Sequence, residues 1–258
     1  MSTTAEVRAA VLRQLQGGNE FIKLIASGGG LTPNTDPAAA DLAQPLMSEA
    51  VGVAHAQGAA VAAHCHATES MERALVAGVD VIEHASFVTR DGHRFDGAIA
   101  CRLRSAGIVV DPTVVGALRS AAEIRRAGQS ANPAAVSAIA RLEGRLTNAA
   151  RYRELGLKIV AGTDAGVTAT GFDSLVDELL AYQSVGFSAA EALRAATCDA
   201  AEFLALGERG QVRLGWQADL VLLENDPLLD LETLRRPALV MKAGRVVVAS
   251  EQRAALAV

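Results

Sequence analysis

Ala59-Ala-Val-Ala-Ala-His64, a helix-like stretch closing at Gly78, then Val79-Asp-Val-Ile-Glu-His84: this segment decides the fold. Twice in succession an apolar run ends on a histidine, and a glycine separates the helical pattern from the second run. Runs this apolar, alternating with helices, predict a parallel sheet covered on its faces. Working outward, the same unit recurs three more times. Glu20-Phe-Ile-Lys-Leu-Ile25 carries Lys23, Ile108-Val-Val-Asp111 stops at Asp111, and Leu157-Lys-Ile-Val-Ala-Gly-Thr-Asp164 stops at Asp164. Each of these positions suits metal or proton chemistry, and the carboxyl ends of parallel strands are where a (β/α) barrel keeps its active site.

The intervening segments read as helices. Thr4 to Gln16 puts Val7, Ala10, Val11 and Leu15 on one face and ends at Gly17-Gly18. Helices are expected from Leu46 to Gln57, Glu69 to Ala77, Asp96 to Ala106 and Phe172 to Ser184, and two between Arg119 and Leu155, separated at Asn132-Pro133. Ser188-Ala-Ala-Glu191 is a capping box opening a helix that continues to about Leu206. The long stretch from Ser27 to Pro45 is a loop over the carboxyl end of the first strand. From Gly207 the texture changes to alternation typical of antiparallel strands, in Val212 to Leu223 and Pro237 to Val248. A boundary near residue 207 is therefore expected, with a barrel-type unit over 1–206 and a β unit over 207–258.

Composition narrows the function. With 24 basic and 29 acidic residues the net charge is -5, and nine aromatics (one Trp, two Tyr, six Phe) leave few stacking platforms, which excludes nucleic acid as an expected partner. Half of the 258 residues are apolar, enough for a sizeable core. Cys65, Cys101 and Cys198 are odd in number and lack a CxxC, as in a reducing compartment. No run approaches the roughly 18 apolar residues of a membrane span, and Met1-Ser-Thr-Thr-Ala-Glu6 has no leader pattern. A cytoplasmic protein without membrane partners is the expectation.

Six segments, in this order, carry a resemblance: Phe21-Ile-Lys-Leu-Ile-Ala-Ser-Gly-Gly29, Ala62-Ala-His-Cys-His-Ala67, Gly78-Val-Asp-Val-Ile-Glu-His84, Asp111-Pro-Thr113, Gly162-Thr-Asp-Ala-Gly166 and Gly215-Trp-Gln-Ala-Asp-Leu220. Together they resemble the metal-dependent amidohydrolase superfamily, in its imidazolonepropionase-like and Xaa-Pro dipeptidase-like branch, from about Glu6 to Val248. The resemblance implies an α/β fold, part of a TIM (β/α)8 barrel followed by the C-terminal part of a small β-sandwich. It implies a hydrolase of C–N bonds in a small amide or peptide substrate. It also implies one or two divalent metals, usually zinc, with Lys23 carboxylated to bridge the pair. His64 and His84 would hold one metal, while Asp164 would bind the other and act as the catalytic proton shuttle. His66, two residues beyond His64, is expected to contact substrate.

The chain also departs from that family. The family's first strand bears a His-x-His pair, whereas the only His-x-His here, His64-Cys-His66, follows the lysine strand. The chain is therefore expected to begin near the family's fourth strand, with five strands that cannot close into a barrel. Three outcomes are open: a partner chain supplies the rest, copies associate into a homo-oligomer through the open edge, or the chain is a truncated product. The first two are favoured, because an apolar edge should not stay solvated. Without the paired histidines, a single metal or none is expected.

Blander readings stand beside these. Lys23 could simply pair with a carboxylate, and Asp111 before Pro112 could merely end its strand. Cys65 reads as a core residue, His55 and His93 as solvated. The Arg-rich segment Arg119 to Arg153 reads as a solvated helical face, and Gly28 to Gly30 lack the pattern of a phosphate loop. Three functions remain: a metal-dependent hydrolase, a binding or assembly protein that has lost catalysis, and a lyase using Lys23 as a Schiff-base nucleophile.

Overall fold

The computed structural model describes residues 2–29, 32–128, 133–167 and 169–249. Strand β1 (Phe21–Ile25), β2 (Ala60–His64), β3 (Val81–Glu83) and β6 (Val109–Asp111) form one parallel sheet in the order β1-β2-β3-β6. Helix α1 (Thr4–Gln16) leads into β1, α2 (Gln44–Ala56) into β2, α3 (Thr68–Ala77) into β3 and α4 (Gly97–Ala106) into β6. Each helix stops where its sequence predicts. Gly78 and Gly107 follow α3 and α4 in the left-handed region, at φ 79° and 73°, so each helix ends and the chain reverses into the next strand. At the other end of α4, the Asp96 side chain accepts from the amides of Ala98 and Ile99.

Val110 continues the sheet on the far side through a parallel bridge to Ile159, with Val110 N bonded to Lys158 O and Val160 N to Val110 O, both at 3.0 Å. The expected strand to Asp164 thus shrinks to one bridge. Two of its amides go elsewhere, Ala161 N to Ala195 O and Gly162 N to the Asp111 carboxylate. A short hairpin of β4 (Val88–Thr89) and β5 (Gly92–His93) was not foreseen.

The register arranges the sheet's inner face in two tiers. In the lower tier Lys23, Ala62, Val81 and Val109 are aligned across four strands; in the upper, Ile25, His64, Glu83 and Asp111. Ala62, Val81 and Val109 join Val160 in a small cluster that Ala200 and Phe203 cover from below. The outer face, including Val61, Ala63, Ile82 and Val110, packs with the helices into the main core. Functional groups therefore sit on an apolar floor, at the carboxyl ends of the strands.

Two helices follow β6, α5 (Val114–Arg126) and α6 (Pro133–Glu154). Asn132 of the expected break lies outside the described residues. Beyond Asp164 come α7 (Leu175–Ser184), α8 (Ala189–Ala196) with its Ser188–Glu191 capping box, and α9 (Cys198–Phe203). The single helix expected from Ser188 to Leu206 is broken at Thr197, whose φ of −128° and ψ of −94° are not helical.

The C-terminal antiparallel sheet has the order β7 (Leu220–Leu222), β8 (Leu239–Lys242), β9 (Arg245–Ala249); the alternating stretch from Pro237 folds back at Ala243-Gly244. The remainder of the expected β unit, 250–258, is outside the described residues. Among the described residues no helix is long and apolar enough to cross a membrane.

Candidate metal centre

Three imidazoles meet above the upper tier. His64 ends β2, and His66, two residues on, faces the same side. Strand alternation alone would turn His84 away from Glu83, yet its ring lies 4.5 Å from that of His64 and 4.6 Å from that of His66. The backbone explains this. His84 has φ 67°, followed by Ala85 at 44° and Phe87 at 53°, and the turn swings the ring inward. One potential ligand atom from each ring lies within 4.8 Å of the others.

Each ring has one nitrogen tied to an oxygen. His64 Nε2 lies 3.4 Å from Gly28 O, His66 Nδ1 2.8 Å from Ser86 Oγ, and His84 Nδ1 2.7 Å from Thr113 Oγ1. The Thr113 hydroxyl donates to Pro112 O at 2.8 Å, which leaves its oxygen free to accept from Nδ1–H, while Arg145 Nη2, a donor, also lies 3.0 Å from that nitrogen. If each tied nitrogen carries its proton, the other of each ring keeps a lone pair. His84 Nε2 is 2.9 Å from His64 Nδ1, somewhat less than the roughly 3.3 Å between two imidazole nitrogens on one tetrahedral ion. Burial lowers the pKa of all three, and that of His66 and His84 lies well below the usual imidazole range, with the nearby Arg145 charge as the second cause. Neutral imidazoles with oriented rings are the form in which histidine binds a metal. The donor set fits one divalent ion.

The expected site residues divide around this trio. His64 and His84 are in it, and so is His66, which the sequence reading assigned to substrate. Lys23 is one tier lower on β1 and its ammonium is ion-paired with Glu83, the blander of its two readings. Asp164, with φ 55°, lines the same cleft as the histidines but is not in the donor cluster.

Asp111 does more than end its strand. Its carboxylate accepts from Gly162 N at 3.0 Å, tying β6 to the segment before Asp164. Burial pushes this carboxyl up to about 8, with the Glu178 charge adding to the effect. Glu178 is itself fully buried and pushed up to about 7, although it accepts from Val114 N and Val115 N at the start of α5.

Sequence reasoning expected helix α6 but missed what one face of it does. At 4-3-4 spacing, Arg141, Arg145, Asn148 and Tyr152 form one stripe. Tyr152 and Asn148 donate to Ala85 O, and Asn148 also to Ser86 O, gripping the turn that carries His84. Arg145, read as part of a solvated face, is 8% exposed and donates to the Pro112 and Thr113 carbonyls. His93, also read as solvated, bonds Asn148 at 3.0 Å and packs on Gly144, where a Cβ would come within 2.7 Å of its ring. The 4-3-4 polar stripe was the signal available in the sequence.

The amidohydrolase family model matches residues 1–247, and the chain belongs to this family. It is 34% identical over 251 residues to an uncharacterised protein of Mycobacterium tuberculosis, covering 93% of this chain and 61% of that protein. With the ochratoxinase of Aspergillus niger it shares 30% over 244 residues, 91% of this chain and 47% of the enzyme. Among solved structures, a Xaa-Pro dipeptidase with bound methionine in the active site matches at TM-score 0.81 and 28% identity, over 95% of this chain and 59% of that one. The A. niger ochratoxinase structure matches at TM-score 0.81 and 27% identity, over 96% and 55%. The chain thus spans about half to three fifths of the length of these relatives, and its parallel sheet is part of an amidohydrolase-type barrel.

Two outcomes follow from the geometry. Ser86→Ala removes the acceptor for His66 Nδ1 and should weaken zinc binding about 10- to 100-fold, measured by competition with a chelating dye; unchanged affinity would contradict the arrangement. Asp111 binds a proton in the folded state up to about pH 8 but in the unfolded chain only near its ordinary 3.8. Its stabilising contribution is therefore greatest at acid pH and is lost as pH rises toward 8. From pH 5 to pH 8, Asp111→Asn should lose less stability than wild type by more than about 1 kcal/mol in urea unfolding. Parallel curves would rule this out.

Proposed function

We propose that this chain carries the catalytic face of a metal-dependent hydrolase of C–N bonds, acting on a small amide or peptide. The observation that carries it is the cluster of three histidines, His64 half-buried and His66 and His84 buried, each with an oxygen partner and with Asp164 in the same cleft. Zinc suits three imidazoles with an open fourth position. When bound, the ion would polarise the scissile carbonyl and acidify the attacking water.

The chain's own residues would do the rest. His64, His66 and His84 would hold the ion, and Asp164 would take a proton from the water and deliver it to the leaving nitrogen. Carboxylation of Lys23 belongs to the same proposal and would supply an anionic oxygen ligand for a second ion. In that step the amine gains carbon dioxide and loses a proton, so the ion pair with Glu83 must first open. Phe21 and Ile25 are 50% and 60% exposed on the edge strand β1, which supports coverage of that edge by a second copy or a partner chain. The Lys23–Glu83 pair favours one competing reading, a family member that binds without turning over.

The test is metal analysis together with hydrolysis of a panel of dipeptides and N-acyl amino acids. The zinc-loaded protein should hydrolyse a member of the panel, and chelation should abolish this. Asp164→Asn should retain the ion and lose about 10²- to 10⁴-fold in kcat. Full activity in Asp164→Asn, or in the chelated protein, would contradict the proposal; metal binding without turnover would favour the binding protein.

A further inference from the structure

Outside the histidine cleft, α6 and the residues at the end of the β4–β5 hairpin line a second groove, with His93, Arg94, Phe95, Glu143, Thr147 and Arg151 in its walls. Neither arginine has a carboxylate within ion-pair distance among the described residues, and the groove's one acid, Glu143, is paired with Arg125. The Arg151 guanidinium lies 4.9 Å from the centre of the Phe95 ring, so a ring rather than an acid steadies this cation. His93 completes the set, and its proton can be placed. The Asn148 amide nitrogen donates to the Ala85 and Ser86 carbonyls at 3.3 and 3.2 Å, so the amide oxygen is the end 3.0 Å from His93 Nε2. Nε2 therefore carries the hydrogen. Burial lowers the His93 pKa, which keeps the ring neutral and leaves a lone pair on Nδ1. Among the described residues Nδ1 has no hydrogen-bond partner and is not sealed from solvent. A Cβ at position 144 would come within 2.7 Å of it, so Gly144 is what leaves this nitrogen uncovered.

We propose that this groove binds inorganic phosphate as the hydrogen phosphate ion, and that bound phosphate steadies the turn that carries His84. Arg94 and Arg151 would take its bare oxygens in charge-assisted hydrogen bonds, and the remaining P–OH would donate to His93 Nδ1. That donor singles out the ion. Sulfate, a carboxylate and the dianion of a phosphate monoester offer acceptors only, so each would set a lone pair against Nδ1. The link to the turn is a chain of hydrogen bonds through one side chain. His93 Nε2 meets Asn148, and Asn148 holds the carbonyls of the two residues that follow His84. The second of these, Ser86, also orients His66 through its hydroxyl. Phosphate fixing the outer edge of the His93 ring would therefore restrict the side chain that grips the turn. The groove is separate from the cleft, and the proposal does not depend on the hydrolase reading.

The test follows the imidazole rings by NMR in the metal-free chain carrying nitrogen-15 histidine. Inorganic phosphate, sulfate and methyl phosphate are titrated at constant ionic strength and at about pH 8, where all three are dianions and phosphate alone keeps an O–H. Phosphate should shift the His93 ring and bind about fivefold or more tightly than the other two. The His66 ring should move with the same midpoint. Arg94→Gln and Arg151→Gln, both at exposed positions, should each weaken phosphate about tenfold. His93→Phe should erase the preference for phosphate over sulfate; the two arginine variants keep the test valid if it fails to fold. No His93 shift at tens of millimolar phosphate, equal affinity for the three ions, or a response undiminished in both arginine variants would overturn the site; the last would place the anion in the histidine cleft instead. A His93 response with His66 unmoved would overturn the link to the turn.

Discussion

The left-handed backbone at His84 is the constraint on which the site depends. A regular strand would point Glu83 and His84 to opposite faces; a positive φ brings both toward the inner side. Such a conformation costs on the order of 1–3 kcal/mol and persists only where its surroundings over-determine it. Here they do. His84 N donates to Asp111 O at 2.7 Å, and Tyr152 and Asn148 reach from α6 to the carbonyls just beyond. The neighbouring strand and a distant helix thus hold the ring where two other imidazoles meet it.

Below this turn, the two tiers of the sheet divide the work. Small and branched side chains, Ala62, Val81 and Val109, fill the lower tier with Phe203 beneath them, which leaves polar groups only at the rim. Lys23 is the exception, the one charged member of the lower tier, and on the edge strand it reaches up to Glu83. The same sheet therefore gives one carboxylate of the upper tier a cation and another, Asp111, a backbone amide.

Much of this was legible in the sequence, because it follows from local rules. Apolar runs ending on Lys23, His64, His84 and Asp111 fixed four strands, and glycines such as Gly78 and Gly107 fixed where helices stop. What escaped depends on partners far along the chain. The strand toward Asp164 gives up its ladder because Ala195 O and the Asp111 carboxylate capture its amides. His66 joins the trio because His84 is turned inward, which spacing alone does not reveal. Arg145 and His93 read as solvent-facing by composition, yet α6 buries the first and stacks Gly144 against the second. Charge on a helix is informative only once the face it occupies is known.

Zinc K-edge X-ray absorption on the chain loaded with one equivalent of zinc tests the central claim most directly. Three imidazole nitrogens at roughly 2.0–2.1 Å are predicted around the ion, with one lost in His66→Ala and none in Lys23→Ala. An ion whose shell is unchanged in His66→Ala, or whose binding disappears in Lys23→Ala, would contradict the account.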